Sequence, residues 1–169
     1  VHISALGINE TVSSQYMQSK LKGEKNIINN FNRSVILRPS VIFGPEDKFF
    51  NQFASLAEFF PALPLIGGGL TYFQPIYVGD VAKSIMTVLE KEEISNKIYE
   101  LGGPQTFTFK ELMKILLKEI NKKRFLVPVP FLFAKYQAMI LQLLPKPLLT
   151  VDQVEMLKYD NIVTNKYPT

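Results

Sequence analysis

Apolar residues along this chain fall into two patterns, short unbroken runs and stripes at helical spacing, and the two alternate. Val1 to Leu6 is a mostly apolar run ended by Gly7, the pattern of a short buried strand. Ser13 or Ser14 can then cap a helix to about Phe31, with Met17, Leu21, Ile28 and Phe31 as its apolar stripe. Val35 to Leu37 predicts a second strand, continued into a Pro39 to Pro45 loop. A helix is expected over Asp47 to Phe59, closed by Pro61 and Pro64, and Thr71 to Val78 reads as extended. Asp80 caps a further helix to about Leu89, turning Val81, Ile85, Val88 and Leu89 inward. Lys97 to Leu101 is a strand stopped by Gly102-Gly103-Pro104.

The second half follows the same alternation. Thr108 and Glu111 form a capping box for a helix to about Ile120. Arg124 to Val127 predicts an edge strand, because Pro128 and Pro130 bar a central one. Phe131 to Leu144 is a helix apolar on much of its circumference, and Thr150 with Gln153 boxes a short helix to about Tyr159. Strands alternating with helices define an α/β chain, for which a parallel sheet is the natural arrangement.

Composition narrows the chemistry. With 169 residues, 47% of them hydrophobic, the chain can bury a core. It has no cysteine, which excludes disulfides and thiolate chemistry and suits a reducing, cytoplasmic setting. The single histidine, His2, rules out a multi-histidine metal cluster, and its place in the first strand argues against a His2–Ser4 catalytic pair. The net charge of +4 comes from lysines scattered among acids, with Lys122-Lys123-Arg124 the densest cluster, so nucleic acid is a poor partner. The apolar stretch from Phe125 to Leu149 is broken by Pro128, Pro130, Pro145 and Pro147 and does not read as a membrane span. Two readings of it stand: a core helix or lid with Phe131, Phe133, Tyr136 and Met139 over a pocket, or a surface that docks a membrane-bound complex or the lipid head-group zone.

Tyr16 and Lys20, four residues apart, share one face of the first predicted helix. A nearby ammonium favours the phenolate, so such a tyrosine can exchange a proton with a substrate hydroxyl or carbonyl near neutral pH. The same ammonium can donate hydrogen bonds to a ribose. A half-buried aromatic beside a snorkelling lysine has the same spacing, and the pair alone does not separate the two.

Several blocks in order set the pair in context. Val1 to Gly7, Tyr16 to Lys20, Gly23-Glu24, Leu37 to Pro45 and Gln74 to Ala82 together resemble the extended and atypical short-chain dehydrogenases/reductases, the NAD-dependent epimerase/dehydratase superfamily. Leu148 to Leu157 with Asp160-Asn161 is similar to the branch that holds the nucleotide-binding accessory subunit of respiratory complex I. The resemblance implies the C-terminal part of a Rossmann-like, doubly wound parallel sheet with a small, mostly helical substrate-side region. It divides the chain into residues 1–124 and an apolar helical region at 125–169. Members of the superfamily open with a strand, a Gly-rich turn and a helix that holds the pyrophosphate. Gly67-Gly68-Gly69 is no substitute, since it leads to an extended stretch and reads as a mobile turn. The expectation is therefore a C-terminal portion, or a split or truncated gene product.

The resemblance also implies roles. Tyr16 is the acid/base group, Lys20 orients it and holds the nicotinamide ribose, and Ser4 is the third member of the site. A strand-end serine bonded to backbone is the plainer role for Ser4, with Ala5 or Leu6 in the superfamily's polar position. Pro39, Ser40, Val41 and Ile42 line the nicotinamide pocket, or simply pack a strand into a loop. The cofactor is NADP or NAD, and the substrate an unidentified small molecule. Two functions follow: an NAD(P)-dependent oxidoreductase or epimerase-like enzyme working through Tyr16, or an accessory or assembly subunit of a respiratory NADH dehydrogenase that holds NADP(H) without chemistry. The second has respiratory-complex subunits as partners, at the surface of the inner membrane.

Overall fold

The computed structural model describes residues 1–8, 13–91, 97–145 and 147–169. In chain order the elements are β1 (His2–Ile3), α1 (Gln15–Asn30), β2 (Val35–Pro39), β3 (Ile42–Phe43), α2 (Phe49–Phe59), β4 (Ala62–Ile66), β5 (Tyr72–Phe73), β6 (Ile76–Tyr77), α3 (Val78–Glu90), β7 (Lys97–Leu101), β8 (Phe107–Thr108), α4 (Phe109–Glu119), β9 (Phe125–Val129), α5 (Phe131–Leu141) and α6 (Val151–Met156). They assemble into two compact units, each built from separate segments. One comprises Val1–Gly44, Gln74–Thr106 and Asn161–Thr169, and the other Pro45–Phe73 and Phe107–Asp160.

The first unit is a parallel sheet in the order β1-β2-β7. All five residues of β2 are buried, as a central parallel strand requires. Alternation along β2 divides its side chains between two helices. Val35 and Leu37 pack with Val81 of α3, Ile76 and Leu101. Arg38, on the opposite face, bonds Glu24 of α1. A helix on each face makes the sheet doubly wound, as predicted. Ser14 caps α1 by accepting from Met17 N at 3.3 Å. A second parallel pair, β3 with β6, continues from the end of β2.

The helical stripes differ from expectation in detail. On α1 the buried positions are Met17 and Glu24, while Ile28 is 51% exposed and Phe31 lies outward at the C-cap. The inward face follows the partner available beneath it: Glu24 turns in because Arg38 is there to pair with it. On α3, Leu89 is likewise exposed. Asp80 is not the N-cap. Tyr77 holds that place, and Asp80 stands in the first turn, where its charge still suits the helix dipole.

The second unit holds the parallel pair β4 and β9, the antiparallel pair β5 and β8, and helices α2, α4, α5 and α6. Phe49, Phe53, Phe73 and Phe109 stack edge-on or tilted, with centroids 5.3–6.2 Å apart. Both predicted capping boxes form, Thr108 with Glu111 and Thr150 with Gln153. Pro64 does not simply close α2. It lies inside β4, opposite Val127, and each strand of a two-stranded sheet has a free edge that tolerates proline. Gly67, Gly68 and Gly69 form a tight left-handed turn with φ of 64°, 74° and 72°. A Cβ on Gly67 would collide with the Phe131 ring. Among the described residues no helix is long and apolar enough to cross a membrane.

Candidate functional site

The candidate residues of the first unit gather around the C-terminal ends of β1 and β2, where open α/β sheets bind ligands. Tyr16 and Lys20 occupy the first turns of α1, with Lys20 Nζ 5.8 Å from the Tyr16 ring centroid. Lys20 Nζ also donates to the Ile3 carbonyl at 3.1 Å, which fixes the ammonium at the end of β1. Tyr16 is 44% exposed. Burial of the remainder pushes the phenol above its usual value of 10.0. Burial thus works against the phenolate that the Lys20 ammonium was expected to favour, and leaves Tyr16 a phenol able to donate a hydrogen bond.

Ser4 lies on β1's extension, where its N–H bonds the Leu37 carbonyl at 2.7 Å. Its Oγ is buried and makes no well-formed hydrogen bond among the described residues, to the Tyr16 phenol or otherwise. The hydroxyl lies near enough to the Glu24 carboxyl to help hold it in its charged form. His2 Nε2, two residues back, is likewise buried without a partner.

Around these atoms sits a charged cluster centred on Arg38. Arg38 Nε and Nη2 grip Glu24 at 2.8 and 2.6 Å, the two-point geometry favoured by guanidinium and carboxylate. The Arg38 guanidinium also lies 4.9 Å from the centroid of the Tyr167 ring. Burial raises the Glu24 carboxyl, but the Arg38 hydrogen bond, Ser4, the Arg38 charge and His2 outweigh it, and the net direction is down from 4.5. Glu100, opposite Arg38 on β7, accepts from Thr164 N at 2.6 Å.

Pro39 ends β2, and Ile42 opens β3 opposite Ile76. Between them Ser40 Oγ donates to Asn161 Oδ1 at 2.7 Å, and Val41 N donates to the same oxygen at 2.9 Å. The structure thus brings Tyr16 and Lys20 together at one strand end and seats Ser40 and Val41 on Asn161 at the next. Asn161 carried no role in the sequence. Its distance of 120 residues from Val41 hides the contact, and only the Asp160-Asn161 block of the family resemblance hinted at it.

The sheet and its flanking helices define a class, the α/β domain of the extended short-chain dehydrogenases/reductases. The chain belongs to the RmlD substrate binding domain family within it, whose model matches residues 11–141. It is 34% identical over 175 residues to the mitochondrial NADH dehydrogenase (ubiquinone) 1 alpha subcomplex subunit 9 of Arabidopsis thaliana, covering 98% of this chain and 44% of that protein. The Mus musculus protein of the same name is 31% identical, over 99% of this chain and 45% of its own length. The chain thus spans about half the length of the curated relatives it matches. Among solved structures, dTDP-4-dehydrorhamnose reductase of Bacillus anthracis str. Ames in complex with NADP superposes with a TM-score of 0.64 at 18% identity, over 76% of this chain and 50% of that one. That likeness is one of fold.

Proposed function

We propose that the chain forms the nicotinamide side of a dinucleotide-holding accessory subunit of a respiratory NADH dehydrogenase, with binding rather than turnover as its task. The observation that carries this reading is the 34% identity, over 98% of the chain, to an NADH dehydrogenase (ubiquinone) 1 alpha subcomplex subunit. The site chemistry is consistent with it. Lys20 brings ammonium hydrogens and Tyr16 a protonated hydroxyl to one strand end, a donor set that fits the hydroxyls of a ribose. Val41 and Ile42, with Pro39 and Ser40, form a loop held in place by its own backbone bonds that offers apolar contact to a nicotinamide ring. When bound, the dinucleotide would supply hydride chemistry. The chain's own residues hold and orient it.

A raised Tyr16 pKa and a Ser4 hydroxyl that makes no hydrogen bond to Tyr16 both disfavour proton transfer. The second reading, an oxidoreductase with Tyr16 as acid/base assisted by Lys20 and Ser4, rests on the Tyr16–Lys20 pair sharing a helix face at that strand end. Tyr16→Phe in the intact protein separates the two. Retained dinucleotide affinity and unimpaired respiratory-complex assembly are expected, whereas loss of a measurable turnover with affinity intact would establish the enzyme reading.

Docking is the companion proposal. On α5, Ala134 and Ala138 face the core, while Phe133, Tyr136, Met139 and Ile140 are exposed. Such a face suits contact with other subunits or a membrane surface, placing the protein peripherally. Replacing exposed Phe133 and Ile140 together with glutamate should abolish co-purification of respiratory subunits from membranes without unfolding the chain, and unchanged co-purification would discard the docking.

A further inference from the structure

We propose that Asn161 is a positioning residue for the nicotinamide end of the dinucleotide, an inference that rests on the dinucleotide-holding function above. One side chain and its own backbone carbonyl tie together three segments of the first unit. Asn161 Oδ1 accepts from Ser40 Oγ at 2.7 Å and from Val41 N at 2.9 Å, which sets the loop after β2. Asn161 Nδ2 reaches the Leu6 carbonyl at 3.4 Å, in the turn after β1. Its backbone carbonyl accepts from Ser40 Oγ at 2.9 Å and from Gln74 N at 3.0 Å, just before β6. The ends of β1 and β2 are adjacent parallel strand ends, and the crevice outside such ends is where this class of sheet takes its ligand.

The residues that follow make Asn161 part of a strap rather than an isolated contact. Val163 N donates to Gln74 Oε1 at 3.0 Å. Thr164 bonds the Glu100 carboxylate, Tyr167 lies against Arg38, and the Pro168 carbonyl accepts from Glu100 N at 3.0 Å. The strap is thus anchored along β7, and Asn161 is its end at the loops that follow β1 and β2. A carboxamide suits the place because it offers an acceptor to Ser40 and Val41 and a donor to Leu6 at once. Removing the carboxamide leaves the Val41 N–H without its acceptor and the buried Ser40 hydroxyl with only the Asn161 backbone carbonyl, so the loop after β2 is free to shift by the small distances that binding geometry does not tolerate.

The test uses the intact protein and three probes: the dinucleotide (NADH or NADPH, whichever the wild type binds more tightly), reduced nicotinamide mononucleotide measured by competition, and the matching ADP-ribose half. Asn161→Ala is expected to weaken the dinucleotide and the mononucleotide about tenfold while the ADP-ribose half changes by less than about twofold. Thr164→Val loosens the strap away from the pocket, and should lower the melting temperature without altering that ratio. Should Asn161→Ala fail to fold, Asn161→Asp keeps the acceptor for Ser40 and Val41 but sets a carboxylate oxygen against the Leu6 carbonyl in place of the donor, and must show the same one-sided loss. Equal weakening of both halves, no weakening, or tighter binding of the nicotinamide half would overturn the proposal. A wild-type protein that binds none of the three overturns the dinucleotide reading instead, a result distinct from any of these.

Discussion

Glu24 and Arg38 show how far one buried pair can dictate what surrounds it. Both are buried, and their two hydrogen bonds replace the water each has lost. Removing one partner leaves the other charge uncompensated, so Glu24→Ala should cost about 3 kcal/mol, measurable by urea unfolding. The pH dependence follows from the direction of the shift. The Glu24 carboxyl is held below 4.5 in the folded chain, so its contribution is fully present above the unfolded value and is lost as pH falls through the folded one. Melting temperature should therefore drop between neutral pH and pH values below about 4, and Glu24→Gln should flatten that part of the profile. A wild-type profile no steeper than that of Glu24→Gln would contradict the assignment. The sequence showed the two residues but not their pairing, because an inward glutamate on a helix is recognisable only when its partner on the neighbouring strand is known. Asn161 was hidden for the same reason.

Elements whose signal is local were legible. Strand β2, which opens on the apolar Val35-Ile36-Leu37, and the short strands β1 and β7 followed from their runs, and α1, α4 and α6 from the caps at Ser14, Thr108 and Thr150. Elements stabilised by distant partners were not. Strand β4 contains Pro64 and exists because β9, about sixty residues further on, pairs with it in register from Ala62 opposite Phe125 to Ile66 opposite Val129. The split of the Thr71 to Val78 stretch into β5 and β6 has the same origin, since each half pairs with a different partner. The turn after β4 rests on glycine alone: Gly67→Ala must relieve a positive φ and a collision with Phe131 together. A loss of more than about 1 kcal/mol is expected in thermal unfolding. Equal stability of the variant would show that the turn relaxes at no cost.

For the molecule as a whole, the order of the sequence blocks carried the superfamily, and the doubly wound sheet with α1 and α3 on opposite faces bears it out. The charge state at Tyr16 was beyond reach of the sequence. Four-residue spacing places an ammonium near a phenol, but burial of the ring decides the direction of the shift, and burial is a property of the fold. The central claim is that the strand ends of β1 and β2 hold the nicotinamide half of a dinucleotide through Lys20, with Tyr16 as a donor only. Titration of the dinucleotide into intact wild-type, Lys20→Met and Tyr16→Phe proteins measures this. Affinity should fall about tenfold or more for Lys20→Met, which loses a charge-assisted donor, and by no more than a few-fold for Tyr16→Phe. Unchanged affinity in Lys20→Met, or a wild-type protein that takes up no dinucleotide, would contradict it.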